Sequence, residues 1–196
     1  MTTSYRSLYA GASLLLLAGC AHQSNPKIPE LKSEIVQLNQ RLQYLNDEAS
    51  ALMQQNALNE QSADGVYIYP AAQTGAQIDS GIGMLLVSLG TVEAEANGSR
   101  ALLHIRTADR STLPAFHAVV DWGQVDPASG KPLTADTLSQ PIVVPASLLP
   151  KPEATIELRL SGLAPEQVGY IRLRDIIRNA PETPPAPDAV KPLSRQ

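Results

Sequence analysis

Leu85-Leu86-Val87-Ser88-Leu89, Asn97-Gly98, Leu103-His104-Ile105-Arg106 and Phe116-His117-Ala118-Val119-Val120-Asp121-Trp122 are the segments that decide the fold class of this chain. Their apolar residues recur every second position, the period of a half-buried strand. Leu85, Val87 and Leu89 alternate along a strand that continues to about Glu95. Asn97-Gly98 then marks a hairpin, because both central residues of a type I′ turn need positive φ. The return strand puts Leu103 and Ile105 on one face, His104 and Arg106 on the other. Outward from this centre, Val66-Tyr67-Ile68-Tyr69 is a short strand stopped by Pro70. A Pro/Gly/Ser/Thr-rich loop runs from Asp126 to Gln140, Ile156, Leu158 and Leu160 form a further strand, and Val168 to Ile177 form the last. Six or seven strands joined without room for crossover helices predict a mainly β chain, an antiparallel immunoglobulin-like β-sandwich.

Before this module the period changes to seven. Alternating steps of three and four visit Ile28, Leu31, Ile35, Leu38, Leu42, Leu45, Ala49, Leu52, Asn56 and Asn59, and no Gly or Pro interrupts Glu30 to Asp64. Such a seam faces a partner continuously only when helices supercoil. From Ile28 to Asn59 the helix would span about 48 Å at the usual rise per residue. The reading is a long N-terminal α-helix acting as a coiled-coil stalk, with homo-oligomerisation through residues 28–59 and Asn56 setting register. The other reading of the same leucines is an amphipathic helix folded onto the chain's own β domain, although that use normally shows a wider apolar stripe.

At the start, Arg6 and a short apolar stretch from Leu8 to Leu17 precede Leu17-Ala18-Gly19-Cys20. The stretch is shorter than the roughly 20 apolar residues a membrane span needs, and it reads as a signal peptide. The last four residues resemble the bacterial lipobox, which implies cleavage before Cys20 and lipidation of its thiol. The bland reading is an ordinary secretory peptide that happens to contain a Cys. Three acyl chains, as lipoproteins of this class carry, make an effectively permanent membrane anchor. Ala21 and His22 stand where an Asp would favour inner-membrane retention in enterobacterial-type sorting, so the expected site is the outer membrane, lipid-anchored on its periplasmic face. The chain thus divides into a signal peptide (1–19), a lipidated Cys with a polar spacer (20–27), a heptad helix (28–64), a β-sandwich (65–178) and a Pro-rich tail read as disordered (179–196).

Composition narrows the function. Of 196 residues 17% are charged, for a net charge of −4, and no long basic run supplies the footprint of a nucleic-acid binder. One Cys excludes an intramolecular disulfide framework, and with three His it leaves no material for a dedicated zinc site. Aromatics are 4% of the chain, so its core must rest on Leu, Ile, Val and Ala. No G-x-S-x-G elbow is present, and Gly81-Ile82-Gly83 is a turn pair rather than a phosphate loop, since no helix follows it. His104 and His117, read as lying on neighbouring strands with Asp121 near His117, make a metal site thinkable, but two solvated strand histidines are the simpler reading. Arg159, Arg172 and Arg174 share outward parity on the expected last two strands, with Arg178 just beyond. Guanidinium forks suit carboxylates and phosphates, so this Arg face is the best candidate binding surface. The plainer alternative is a solvated face paired with Glu157 and Asp175.

Gln54-Gln55-Asn56, Asp64-Gly65-Val66-Tyr67, Asp79-Ser80-Gly81-Ile82-Gly83, Leu113-Pro114-Ala115-Phe116, Gln167-Val168-Gly169-Tyr170-Ile171-Arg172 and Asp175-Ile176 together resemble the YajI-like lipoproteins, a bacterial family of unknown function. The resemblance runs to about Arg178 and implies lipidation and one β domain, but no activity. Residues 20 to about 52 also resemble the stalk of the murein (Braun) lipoprotein, with a polar spacer followed by Ile/Leu heptads. That lipoprotein ends in a Lys joined to peptidoglycan whereas this chain ends in Ser194-Arg195-Gln196, so covalent wall attachment does not carry over. The expected function is therefore a non-enzymatic envelope lipoprotein without cofactor or metal, contacting an unknown envelope protein or peptidoglycan. The alternative is a binding module for an anionic envelope ligand, peptidoglycan or lipopolysaccharide, through the Arg face.

Overall fold

The computed structural model describes residues 27–179. The signal peptide, Cys20 and the tail beyond Asn179 lie outside them, so the readings made of those segments do too. The chain forms two compact units, one up to Tyr44 and one from Leu45 onward. What is described of the first is helical, the opening stretch of α1 (Lys27–Gln61). There Ile28, Leu31, Ile35, Leu38 and Leu42 are all exposed.

The second unit holds the rest of α1 and nine strands among the described residues: β1 (Gly65–Ile68), β2 (Ala76–Ser80), β3 (Gly83–Leu89), β4 (Glu93–Glu95), β5 (Gly98–Thr107), β6 (Phe116–Gly123), β7 (Leu138–Val144), β8 (Glu153–Ser161) and β9 (Tyr170–Arg178). One sheet has the order β1-β9-β6-β7. In the other, β5 is central: β3 and β4 occupy successive stretches of one of its edges, β8 lies along the other, and β2 pairs with β3. Every pairing is antiparallel. The two sheets pack face to face around one core. Leu85, Val87, Leu103, Ile105, Leu158 and Leu160 come from one side, and Val66, Ile68, Phe116, Val120, Ile171 and Leu173 from the other. Burying a side chain of this kind stabilises by roughly 1.5–3 kcal/mol.

Alternation in the sequence located most of these strands, but it ran β3 and β4 together as one strand to Glu95 and missed two others. β7 lies partly within the expected loop and carries Pro141, which cannot donate to a ladder. It is tolerated because β7 is an edge strand. β2 is short, and its alternation is polar enough to read as turn. The hairpin also differs by one residue. Glu95 pairs with Gly98, so Ala96 and Asn97 form the turn. Gly98 begins β5 with φ +147, and a Cβ there would lie 2.5 Å from the Leu160 carbonyl oxygen. Close approach of β8, not a type I′ turn, requires this glycine.

The sandwich unit does not start at Gly65. β1 is an edge strand, and the end of α1 covers that edge with side chains. Ser62 Oγ donates to the Gly65 carbonyl (2.5 Å). The Asn59 amide bonds both the Tyr67 N–H (2.7 Å) and the Tyr67 carbonyl (2.9 Å). Gln55 Oε1 accepts from the Tyr69 N–H (2.8 Å), while its Nε2 makes a long contact with the Gly75 carbonyl (3.5 Å). Three or four residues of helix advance about 5 Å and two residues of strand about 6.6 Å, so the two spacings nearly match. The helix end thus takes the place of a neighbouring strand along an otherwise open edge. Beside it, Ala51 and Leu58 pack against a second cluster of Tyr69, Ala72 and Tyr170 on the outer face of the sheet. Tyr170 points away from the main core and is buried in this second cluster, where the helix end, Tyr67 and Val125 pack around it.

Candidate functional site

Sheet parity places Tyr67, Arg172, Asp121 and Ser139 in one cross-strand row on the outer face of the β1-β9-β6-β7 sheet. Arg174 lies in the next row, opposite Gly65 and Val119. Asp121 is the centre of the group, with 7% of its side chain exposed. Arg174 binds it with a two-pronged fork, Nε to Oδ2 at 2.6 Å and Nη2 to Oδ1 at 3.2 Å. Ser139 Oγ donates to Oδ1 at 2.6 Å. Burial alone would raise the Asp121 carboxyl, but the hydrogen bonds from Arg174 and Ser139, together with the charges of Arg174 and Arg172, outweigh it and hold it below the ordinary carboxylate range. Arg174 also pairs with Asp175. Arg172 reaches Asp64 at 2.6 Å, and its guanidinium lies 5.0 Å from the centre of the Tyr67 ring. The Arg172 Nε is buried without a hydrogen-bond partner.

The expected Arg face therefore does not form as one surface. Arg172 and Arg174 do lie together on it. Arg159 is on β8, in the other sheet, where its carboxylate neighbour is Glu157 at 3.8 Å. The turn between β8 and β9 crosses from one sheet to the other, so equal parity along the two strands puts their outward side chains on opposite sides of the sandwich. Arg178 is separated for a different reason. Asp175 has φ +53, and the β6–β9 register slips between His117 and Val119. This bulge inverts the alternation of β9, so Arg178 sits opposite Phe116 while Ile177 takes the outward position opposite His117. Histidine parity misled in the same way. His104 is on β5 and His117 on β6, in different sheets. His104 Nδ1 hydrogen-bonds Thr155 Oγ1 (3.1 Å), and His117 Nδ1–H donates to Asn179 Oδ1 (2.9 Å). Asp121 belongs to Arg174 rather than to His117.

Chemically, this face is a row of ion pairs in which Asp121 and Arg174 satisfy each other while the Arg172 Nε is left without a partner. The forked guanidinium of Arg174 is not open to an outside anion without first releasing Asp121, whereas Arg172 is held by a single bond to the exposed Asp64. The polar residues that matter most to the domain, Gln55 and Asn59, were legible only as polar members of the heptad stretch. The signal that could have found them is the run of amides Gln54-Gln55-Asn56 and Asn59 just ahead of the first strand.

The described residues thus form a two-sheet antiparallel sandwich, edge-capped by the end of a long helix and carrying a row of ion pairs on its outer face. The chain belongs to the DUF3251 family of proteins of unknown function, whose model matches residues 20–182. It is 35% identical over 175 residues, covering 89% of this chain and 96% of the relative, to an uncharacterised lipoprotein of Escherichia coli K12, YajI. The solution structure of the Escherichia coli YajI lipoprotein matches with a TM-score of 0.61 at 35% identity, over 66% of this chain and 77% of that one. A trimeric lipoprotein of Salmonella enterica, SadB, shows a more distant likeness: a TM-score of 0.49 at 17% identity, over 88% of this chain and 93% of that one. The YajI-like resemblance read from the sequence is thereby established.

Proposed function

We propose that this chain is a non-enzymatic outer-membrane lipoprotein, palmitoylated at Cys20, that displays an immunoglobulin-like sandwich in the periplasm on a coiled-coil helical stalk as a structural or accessory component of the envelope. The observation that carries the reading is Leu17-Ala18-Gly19-Cys20 in a chain whose family match begins at residue 20 and whose relative is a lipoprotein. Ala21 supports the outer membrane over the inner. The bonding of Asp121 to Arg174 and Ser139 supports an interaction module over a catalytic one, because the buried carboxylate of this face spends its hydrogen bonds within the domain. The anionic-ligand reading is weaker for the same reason: Arg172 and Arg174 would have to release Asp64 and Asp121. Metabolic palmitate labelling tests the anchor. Label should enter the wild type and be lost in Cys20→Ser, and label retained in that variant sinks the lipidation. Fractionation tests the address separately: native protein recovered with the inner membrane overturns the sorting alone.

A further inference from the structure

The outer face of the β2-β3-β5-β8 sheet, on the opposite side of the sandwich from the Asp121 row, holds a pocket of about 290 Å³. Register builds it from two cross-strand rows. One runs from Leu86 on β3 through Arg106 on β5 to Glu153 on β8, and the other from Ser88 through His104 to Thr155. The second row is fixed in place, because His104 Nδ1 and Thr155 Oγ1 share a hydrogen bond of 3.1 Å. The other ring nitrogen, Nε2, makes no hydrogen bond among the described residues. It lies 3.8 Å from where a Cβ on Gly90 would stand, so the missing side chain leaves it open. Behind the pocket Val87, Leu103 and Ile105 are buried in the core, which gives both rows a rigid floor.

What singles this pocket out is a pair of charges that do not meet. Elsewhere on the same face the arginines are paired, Arg100 with Glu93 at 2.7 Å and Arg159 with Glu157 at 3.8 Å. Arg106 and Glu153 stand directly opposite each other in register, and both line the pocket. Yet among the described residues neither side chain makes an ion pair or a hydrogen bond. A guanidinium suits a carboxylate, and a carboxylate suits an ammonium group. Two such groups held apart in one pocket complement a ligand that carries both charges. We infer that this pocket binds a small zwitterion of the amino-acid or short-peptide kind. Its carboxylate sits on Arg106, its ammonium group on Glu153, and its polar backbone against Ser88, His104 and Thr155. The volume lies just under the roughly 300–1,000 Å³ of ordinary ligand pockets, which fits a single amino acid or a dipeptide rather than a long chain. A simple anion is a poorer match, because it would meet Glu153 as well as Arg106.

The test is an NMR titration of the isotope-labelled mature chain carrying Cys20→Ser with L-alanyl-L-alanine, with its N-acetyl form and with its C-terminal amide. The free dipeptide should shift the amides around His104, Arg106 and Thr155 to saturation. Blocking either end should weaken binding at least about tenfold, the loss of one charge-assisted hydrogen bond. Glu153→Gln should weaken the free dipeptide by a similar factor and leave the N-acetyl form no weaker, since that form has no ammonium group to lose. Arg106→Gln should do the same with respect to the amide. Both residues are exposed, so the emission of Trp122, the single Trp, should report an intact sandwich in each variant. No saturable shift at millimolar dipeptide overturns the inference, and so do shifts confined to the other sheet. Equal binding of the free and blocked forms defeats the zwitterion. Saturation by glycerophosphoethanolamine alone, which carries an anion and an ammonium group as a lipid headgroup does, defeats the amino-acid class.

Discussion

Two neighbouring faces of α1 put opposite chemistry to use. The seam from Ile28 to Leu52 is apolar, regular and exposed among the described residues. The face beside it, from Ala51 to Ser62, works largely through amides and a hydroxyl, and it closes the β1 edge of the sandwich. The comparison shows that the most hydrophobic side of a helix need not be the side its own domain takes. A strand edge presents N–H and C=O groups, so what covers it best is a set of side chains that donate and accept.

The largest expected effect comes from cutting between the two uses. A chain beginning at Leu45 keeps the edge cap, and one beginning at Gly65 loses it together with the contacts of Ala51 and Leu58. Uncovered backbone groups and lost apolar burial should cost the shorter chain more than about 4 kcal/mol, a large share of the stability of an ordinary domain. Urea unfolding followed by Trp122 emission should give a cooperative transition for the first and a weak or absent one for the second. Equal midpoints would show that the helix end is dispensable.

Single residues then sharpen the contrast. Gln55 is fully buried and holds the Tyr69 N–H, so Gln55→Ala should cost roughly 2–3 kcal/mol by leaving that donor unpaired. Asn56→Ala, one residue further on and exposed, should change stability by less than about 0.5 kcal/mol. Comparable losses at both positions would mean that the helix does not turn Gln55 inward and Asn56 outward.

Asp121 offers a pH-dependent version, away from the helix. Asp121→Asn should destabilise by about 2 kcal/mol near neutral pH, because Arg174 and Ser139 keep their geometry but lose the charge they serve. The carboxyl titrates lower in the folded chain than in the unfolded one. Its contribution is therefore complete above the unfolded value, near 4, and drains away as the pH falls from there through the lower folded value. The gap in unfolding free energy between wild type and variant should hold from neutral pH down to about 5 and narrow below 4. A gap that does not depend on pH would assign the loss to packing instead.

Much of this is legible in the sequence. The alternation of Leu103 with His104 and of Phe116 with His117 located the central strands, because each has one face in the core and one in solvent. The heptad positions also emerged from spacing alone. What stayed hidden depended on which elements meet across space. Alternation gives parity within a strand but not the sheet to which the strand belongs, so Arg159 and Arg172 read as neighbours although β8 and β9 lie in different sheets. A bulge at Asp175 reverses parity in the middle of a strand, and although Asp tolerates positive φ better than most residues, one Asp ahead of two isoleucines does not by itself announce a bulge. Asn59 reads as a polar position of the heptad seam and Gln55 only as part of a run of amides, because periodicity classes amides by polarity, while their role comes from a backbone edge that only the folded sheet creates.

The smallest expected effect on the sandwich is also the most discriminating. Leu38→Asn with Leu45→Asn removes two large apolar side chains, and had they covered the sandwich, the pair would cost it several kcal/mol by the usual penalty for lost burial. Both are exposed, and Leu45 belongs to the sandwich unit itself. The domain's unfolding midpoint, read through Trp122 at a concentration low enough to keep the chain monomeric, should therefore move by no more than about 0.5 kcal/mol equivalent. At high concentration the wild type should gain helical signal and thermal stability that the variant does not, because association stabilises only the species that associates. The two faces then separate cleanly: Gln55→Ala lowers the midpoint at every concentration, and the seam pair alters only its concentration dependence. A midpoint that falls in dilute solution for the seam pair would show that the leucines serve the domain directly and return the helix to the packed reading.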